Sequence, residues 1–192
     1  EGAKALAAGA GEFFADFHGK FSKIQKEHAV SVIEENADQP DDLDMLQGQA
    51  SKGIREYIIK KNPYEFQDLV AALLRAMGYY TPFIAPKGKD GGVDIIAYRD
   101  PLGTTAPQLK VQVKHYPTSA ISVDVVRSLL GVLVKEGEVG LLVTSGTFTS
   151  ESKKEARNGH RCLRLIDIDE FIEAGIRWRH EQRRAAAEEQ EA

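Results

Sequence analysis

The sequence predicts an α/β fold, in which a mixed central β-sheet is flanked by helices and a helical arm precedes it. Three observations predict this fold. One strongly amphipathic helix is followed by a meander of three strand-like segments, and two further apolar strands alternate with helical segments. The order along the chain is α-β-β-β-α-β-α-β-α. Because a helical crossover leads from the meander into an apolar strand, we expect antiparallel and parallel pairs in one sheet.

The N-terminal arm comprises residues 1–50 and combines an amphipathic helix with an acidic linker. Its apolar stripe has near-helical spacing and consists of Phe13, Phe14, Phe17, Phe21 and Ile24. An acidic segment that contains a proline, 35–44, follows and is typical of a boundary. We therefore expect three regions, namely this arm, a main domain at 51–178 and a charged C-terminal tail at 179–192.

The main domain opens with the clearest helix of the chain. Asn62 suits the N-cap, Pro63 suits the first helical position, and Gly78 ends the pattern. The apolar residues between them repeat at helical spacing and are Phe66, Leu69, Val70, Leu73, Leu74 and Met77. Glu65 lies three positions after Asn62, which is the place of the acid in a capping box.

Strands and helices alternate after this helix. The three strands of the meander are predicted at 81–84, 93–98 and 109–115, and Pro and Gly turn residues separate the last two. The later elements are a helix at 123–134, a buried strand at 139–145, a short helix at 149–158, a strand at 162–167 and a closing helix from residue 169 onward. We expect the helices to cover both faces of the sheet.

Composition and charge are typical of a soluble domain with a basic middle. The net charge is −4, but residues 1–50 carry four basic and ten acidic side chains, whereas residues 51–184 carry 21 basic and 16 acidic. This basic excess suits nucleic acid, and it equally suits ordinary solvated lysines. The single Cys162 excludes a disulfide framework, and no apolar run approaches the roughly 20 residues of a membrane span. We expect a cytoplasmic protein with no membrane partner.

A polar cluster is predicted where the second and third strands of the meander meet. If these strands pair antiparallel around Gly103, the numbers of opposite residues sum to 206, so Asp94 lies opposite Gln112. Asp94, Gln112 and Lys114 then share one face, while the apolar residues of both strands point to the core on the other. His115 follows the lysine on the core face, where packing is favoured over acid–base chemistry.

This cluster has two readings. Mg²⁺ prefers oxygen ligands and takes only one or two carboxylates, so Asp94, the amide oxygen of Gln112 and the backbone carbonyl of Val113 would suit it. Lys114 would then orient or deprotonate the attacking water in metal-assisted phosphodiester hydrolysis. The alternative is an exposed pair of Asp94 and Lys114 across the strands, worth well under roughly 1 kcal/mol. Spacing alone leaves both readings open.

Several motifs in one order resemble the catalytic domain of Mrr-like restriction endonucleases, a branch of the PD-(D/E)xK nuclease superfamily. They are GKDGGVDIIAY, VQVKHY and LLVTSGTFT, which follow NPYEFQDLVAALLRAMGYY. The resemblance covers about residues 62–173 and implies an αβββαβ core within the main domain. It also implies cleavage of DNA with Mg²⁺, for which Mn²⁺ substitutes, in the restriction of foreign DNA. Asp94 is then the metal-binding acid, Gln112 replaces the usual Glu, and Lys114 is the catalytic lysine.

The chain departs from this family at two places. The family helix usually carries a Glu directly after its Phe, and here that position is Gln67; Glu65 would either supply the missing acid or serve the capping box. The arm also lacks the pattern of a winged-helix DNA-reading domain. An alternative is therefore a catalytically weak or inactive module of the same fold that binds DNA or a protein.

The resemblance to nucleases directs attention to residues that would contact DNA. Candidates for contact with phosphate are Lys87, Lys89, Gly91, Gly92 and Arg127. The two glycines let the backbone bend or a ligand approach closely just before Asp94, or they simply form a turn. Because one active site cuts one strand, we expect a homodimer, formed through the arm or the catalytic domain.

Overall fold

The computed structural model describes residues 41–88, 91–158 and 161–191. The chain divides into two compact units, Glu1–Ile58 and Ile59–Ala192, and each is described by itself. The described part of the first unit belongs to one helix, α1 (Asp41–Ile59). The predicted arm helix around the four phenylalanines lies outside the described residues.

Helix α1 was not predicted. It begins inside the acidic segment that the sequence indicated as a boundary, and it contains Gly48 and Gly53. A glycine within a helix lowers the stability of the helix by about 1 kcal/mol relative to alanine. The two glycines therefore indicate against a helix when the sequence is considered alone. No helix among the described residues is both long and apolar enough to cross a membrane.

Helix α2 (Pro63–Ala76) confirms the prediction in detail. The Asn62 side chain accepts hydrogen bonds from the backbone N–H groups of Tyr64 and Glu65, both at 3.0 Å. The Glu65 carboxylate accepts the N–H of Asn62 at 2.8 Å, which completes the capping box. This backbone hydrogen bond is the main cause of a lowered pKa of Glu65. Gly78 follows the helix with a φ of +86°, a conformation that glycine adopts without strain.

The second unit is built on a five-stranded mixed sheet with the order β1-β2-β3-β5-β7. The strands of this sheet are β1 (Tyr80–Ile84), β2 (Ile95–Tyr98), β3 (Gln108–Lys114), β5 (Glu138–Thr144) and β7 (Leu163–Ile166). The first three pair antiparallel and the last three pair parallel, as the meander and the crossovers predicted. Ile95 pairs with Val111 and Ala97 with Leu109, so the predicted register with a sum of 206 is confirmed.

Three helices follow the meander. They are α3 (Val123–Val132), α4 (Ser150–Asn158) and α5 (Ile168–Glu191), and the last continues through residues 179–191 of the predicted tail. The sequence did not predict two strands of two residues each, β4 (Ala120–Ile121) and β6 (Thr147–Phe148), which form a small parallel sheet. Strands this short carry no alternation that a sequence pattern would show. The Thr149 hydroxyl accepts the N–H of Ser152 at 3.2 Å and so caps the start of α4.

Both faces of the sheet are buried. On one face, Phe66 of α2 lies between the rings of His115 and Phe171, with centroids 5.4 and 5.7 Å away. The predicted packing role of His115 agrees with this contact. On the other face, a core from α3, α4 and the strands consists of Ile121, Val126, Leu129, Leu142 and Phe148. The helical crossovers therefore enclose the sheet on both sides, as in other doubly covered α/β sheets.

A buried ion pair between Lys110 and Glu138 stabilises the crossover from α3 to β5. Lys110 Nζ lies 2.8 Å from Glu138 Oε1 and donates a hydrogen bond to the Val132 carbonyl at 2.7 Å. Glu138 Oε2 accepts the backbone N–H groups of Val134 and Lys135 at 2.8 and 2.9 Å. Burial alone would raise the pKa of Glu138, but the hydrogen bonds from Lys110 and the two amides outweigh it, so the pKa is lowered from 4.5.

We expect Glu138→Gln to lower the free energy of unfolding by about 3 kcal/mol at pH 7, because Lys110 then keeps a buried charge without its partner. A group whose pKa is lowered by folding stabilises the protein above its unfolded pKa and loses this effect as the pH falls. The difference between wild type and variant should therefore shrink below pH 4.5. Urea unfolding at pH 7 and pH 3.5 measures it, and an equal difference at both pH values would contradict the assignment.

Candidate active site

Asp94 lies directly before β2 and is held by backbone hydrogen bonds to both neighbouring strands. Its N–H donates to the Val111 carbonyl of β3 at 2.8 Å, and its carbonyl accepts the N–H of Ala85 at 2.7 Å. Its carboxylate oxygen Oδ2 accepts the N–H of Val113 at 2.7 Å. The acid is half-buried. These contacts fix both the backbone and the side chain of Asp94 against the middle of the sheet.

Gln112 lies on β3, one position after Val111, whose carbonyl accepts the N–H of Asp94. It pairs with Leu142 of β5, so its side chain faces the core beneath α3 and α4. Only 4% of Gln112 is exposed, and its Oε1 is buried without a hydrogen-bond partner among the described residues. The expectation that this face lies away from the core was therefore wrong, because α3 covers it. An unsatisfied buried oxygen is costly, so its presence here needs an explanation.

Lys114 lies two residues after Gln112, on the same face and at the carboxyl end of β3. It is half-buried, and within the parts of the chain that the structure describes no acid or carbonyl pairs with its ammonium group. Val113 lies between them and contacts Asp94 through its backbone N–H. Gln112 and Lys114 thus bring an unsatisfied amide oxygen and a cation to one face of β3, and the Asp94 carboxylate binds the backbone of the residue between them.

Glu65 and Gln67, the two positions of α2 considered for the family's acid, occupy different environments. Glu65 serves the helix cap, and one of its oxygens also lies 3.7 Å from the ammonium of Lys61. Gln67 is 8% exposed, and its side-chain Nε2 donates to the Ala85 carbonyl at 2.9 Å. Ala85 is the same residue whose N–H binds the Asp94 backbone. The sequence analysis did not predict that Ala85 connects Gln67 to Asp94, because these contacts use backbone groups, which every residue type other than proline has.

The residues present fit Mg²⁺ or Mn²⁺ better than a metal that needs several protein ligands. Among the described residues, no group of three His, Cys, Asp or Glu side chains is placed to hold an ion. Mg²⁺ is usually bound by one or two carboxylates and keeps several waters and substrate phosphates. Asp94 supplies one carboxylate, and the unsatisfied Oε1 of Gln112 is a neutral oxygen of the kind that Mg²⁺ binds.

The predicted phosphate contacts lie in separate parts of the domain. Lys87 is exposed in the segment after β1, and its Nζ lies 5.1 Å from the centre of the Tyr64 ring. The sequence analysis did not predict this contact, although the aromatic Tyr64 lies two residues after the predicted N-cap. Gly92 has a φ of +76°, which the predicted bend requires, and Gly91 is exposed. Lys89 lies outside the described residues.

Arg127 is exposed on α3 and already has acidic partners. Its guanidinium group lies 3.1 Å from Glu155 of α4 and 3.9 Å from Asp124. The hydrogen bond with Glu155 is the main cause of its raised pKa. Exposed ion pairs are weak, so a phosphate would compete with Glu155 for this group.

One protein family and two solved structures are similar to this chain. The family model Mrr_cat, described as a restriction endonuclease, matches residues 58–174. Among solved structures, the DNA modification-dependent restriction endonuclease AspBHI is 21% identical over 65% of this chain and 34% of its own, with a TM-score of 0.53. The MspJI restriction endonuclease in complex with a 27-mer oligonucleotide is 22% identical over 67% of this chain and 30% of its own, with a TM-score of 0.49.

The chain therefore spans about a third of the length of these two enzymes. No curated protein matches it. At this level of identity the likeness to AspBHI concerns the fold, and it confirms the predicted α/β nuclease fold with a mixed sheet flanked by helices.

Proposed function

The chain belongs to the Mrr_cat family of restriction endonuclease domains, and we propose that it hydrolyses phosphodiester bonds of foreign DNA with Mg²⁺ as its cofactor. The observation that supports this proposal is that Gln112 and Lys114 share one face of β3, while the Asp94 carboxylate accepts the N–H of Val113, the residue between them. In addition, the oxygen Oε1 of Gln112 is buried without a hydrogen-bond partner among the described residues. A bound ion would use this oxygen and remove the cost of its burial.

Each residue of the grouping has a distinct part in the proposed reaction. Asp94 and the Oε1 of Gln112 would hold the ion, with the Val113 carbonyl as a third protein oxygen. When bound, Mg²⁺ or Mn²⁺ supplies a water of lowered pKa and stabilises negative charge on the phosphate. The N–H of Val113 keeps the Asp94 carboxylate in one orientation. Lys114 would orient the attacking water and offset the charge that develops on the phosphate oxygens.

The proposal extends to where the enzyme acts and how it assembles. We propose a cytoplasmic enzyme, which is consistent with a sequence that contains a single cysteine. Lys87, Lys89, the two glycines before Asp94 and Arg127 are proposed to contact the DNA backbone. A homodimer is proposed because two active sites are needed to cut both strands in one binding event.

A second candidate function is a module of the same fold that binds DNA or a protein without cutting. The observation that favours it is the low number of acids at the site. Gln stands at both 67 and 112, and no group of three potential metal ligands is present among the described residues. A site with so few carboxylates would bind an ion weakly until a phosphate joined it.

Incubation of the protein with supercoiled plasmid distinguishes the two functions. We expect linear DNA with Mg²⁺ or Mn²⁺, no cleavage with EDTA, and recovery when the metal is restored. Binding without cleavage in either metal would favour the binding module, and undiminished cleavage in EDTA would contradict the metal dependence. Linear product that forms without accumulated nicked circles supports the homodimer, whereas nicked circles that persist would contradict it.

A further inference from the structure

We infer that Gln67 is a positioning residue that holds Asp94 in place through the backbone of Ala85, and that it is not a ligand in place of the family's acid. The inference rests on the proposed function, because it assigns a role within the same site. It concerns the one position of α2 at which this chain carries an amide where the resemblance implies a carboxylate.

A continuous series of hydrogen bonds leads from Gln67 to the carboxylate of Asp94. The Nε2 of Gln67 donates to the Ala85 carbonyl at 2.9 Å, and the N–H of Ala85 donates to the Asp94 carbonyl at 2.7 Å. The Asp94 N–H in turn donates to Val111, and its carboxylate accepts from Val113. The Gln67 side chain thus binds α2 to Ala85, the residue after β1, and the backbone of Ala85 in turn binds the backbone of Asp94.

The chemistry of this contact requires a donor. Gln67 is almost fully buried, and the group it faces is a carbonyl oxygen, which accepts hydrogen bonds and cannot donate them. A glutamate at this position would place negative oxygens against that carbonyl in a buried environment, which is unfavourable. The amide of Gln67 therefore suits the Ala85 carbonyl, and an ionised glutamate at position 67 would not make this hydrogen bond.

Two substitutions of Gln67 separate a positioning role from a ligand role. Gln67→Met keeps the length of the side chain and removes the donor, whereas Gln67→Glu restores the acid of the family and also removes the donor. Ser152→Ala is the matched control, because the Ser152 hydroxyl is another buried donor to a backbone carbonyl, that of Ile121 at 2.7 Å. Its hydrogen bond joins α4 to β4 and is not part of the series that leads from Gln67 to Asp94.

The first measurement is amide hydrogen exchange of the metal-free protein. In Gln67→Met we expect the amides of Ala85 and Val113 to exchange about fivefold to tenfold faster, relative to amides in the centre of β5, because one hydrogen bond of this size is lost. Ser152→Ala should leave this ratio unchanged. Equal exchange of the two amides in Gln67→Met and wild type would overturn the inference, whether or not the protein cuts DNA.

The second measurement is Mn²⁺ binding by calorimetry together with plasmid cleavage. We expect Gln67→Met to bind Mn²⁺ about tenfold more weakly and to lose kcat with little change in KM for DNA, and Gln67→Glu not to restore either property. Tighter Mn²⁺ binding and faster cleavage by Gln67→Glu than by wild type would overturn the inference, because the position would then act as a ligand. Failure of wild type itself to bind Mn²⁺ or cut DNA would refute the proposed function, and hydrogen exchange would still decide the part of Gln67.

Discussion

Asp94→Asn is expected to reduce plasmid cleavage by about 10³-fold or more, with little change in the fold. Asparagine has nearly the shape of aspartate and keeps an oxygen that can accept the Val113 N–H. It loses the negative charge, and the neutral Gln67 and Gln112 do not replace that charge. Mn²⁺ binding by calorimetry should fall together with the cleavage rate, while the thermal unfolding midpoint should stay within a few degrees of wild type.

Asp100→Asn is a suitable control for this substitution. Asp100 also accepts backbone hydrogen bonds, from Leu102, Thr104 and Thr105, in the loop between β2 and β3. The hydrogen bond from Thr105 is the main cause that lowers its pKa to about 2. The variant should keep the metal affinity and cleavage rate of wild type. If Asp94→Asn cut DNA as fast as Asp100→Asn, Asp94 would have no part in catalysis.

Lys114→Met is expected to slow cleavage by about 10²- to 10³-fold while Mn²⁺ binding stays close to wild type. Methionine keeps most of the aliphatic length of the half-buried side chain and removes only the cation. Because the ion would be held by oxygens of other residues, the loss should appear in kcat rather than in metal affinity. This split distinguishes Lys114 from Asp94, whose replacement should affect both quantities.

Lys135→Met provides the matched control for the loss of a lysine. Lys135 is exposed before β5, and β5 is parallel to β3, so it lies at the opposite end of the strands from Lys114. It should cleave at the rate of wild type. Equal activity of Lys114→Met and Lys135→Met under single-turnover conditions would remove Lys114 from the proposed mechanism.

The elements that sequence reasoning predicted well are those with local causes. The capping box of Asn62 and Glu65 involves residues three apart, and the helix that follows has a complete apolar repeat. The register of β2 and β3 follows from the alternation of each strand and from a turn that joins neighbouring segments, so the position of Gln112 was predictable. The AspBHI comparison supports the fold that these elements imply.

Other features depend on residues that meet only after folding. Helix α3, which follows β3 in the chain, covers the face of Gln112, so a side chain expected on the open side is buried with its Oε1 unsatisfied. Arg127, a predicted candidate for contact with phosphate, forms an ion pair with Glu155 of another helix, which the sequence did not predict. No periodic pattern in the sequence predicts either contact, because the residues that meet are far apart in the chain.

From α2 onward, the sequence by itself determined the order of the helices and of the five strands of the main sheet, the pairing of β2 with β3 and the shared face of Gln112 and Lys114. Strand alternation, helix caps and turns depend on residues that are close together in the sequence, so the sequence alone predicts them. Only the tertiary structure decided that Gln67 binds the backbone of Ala85 and that the Oε1 of Gln112 is buried without a partner among the described residues. Those outcomes depend on which backbone groups lack partners once the helices pack, and a buried polar side chain must satisfy whichever group it meets.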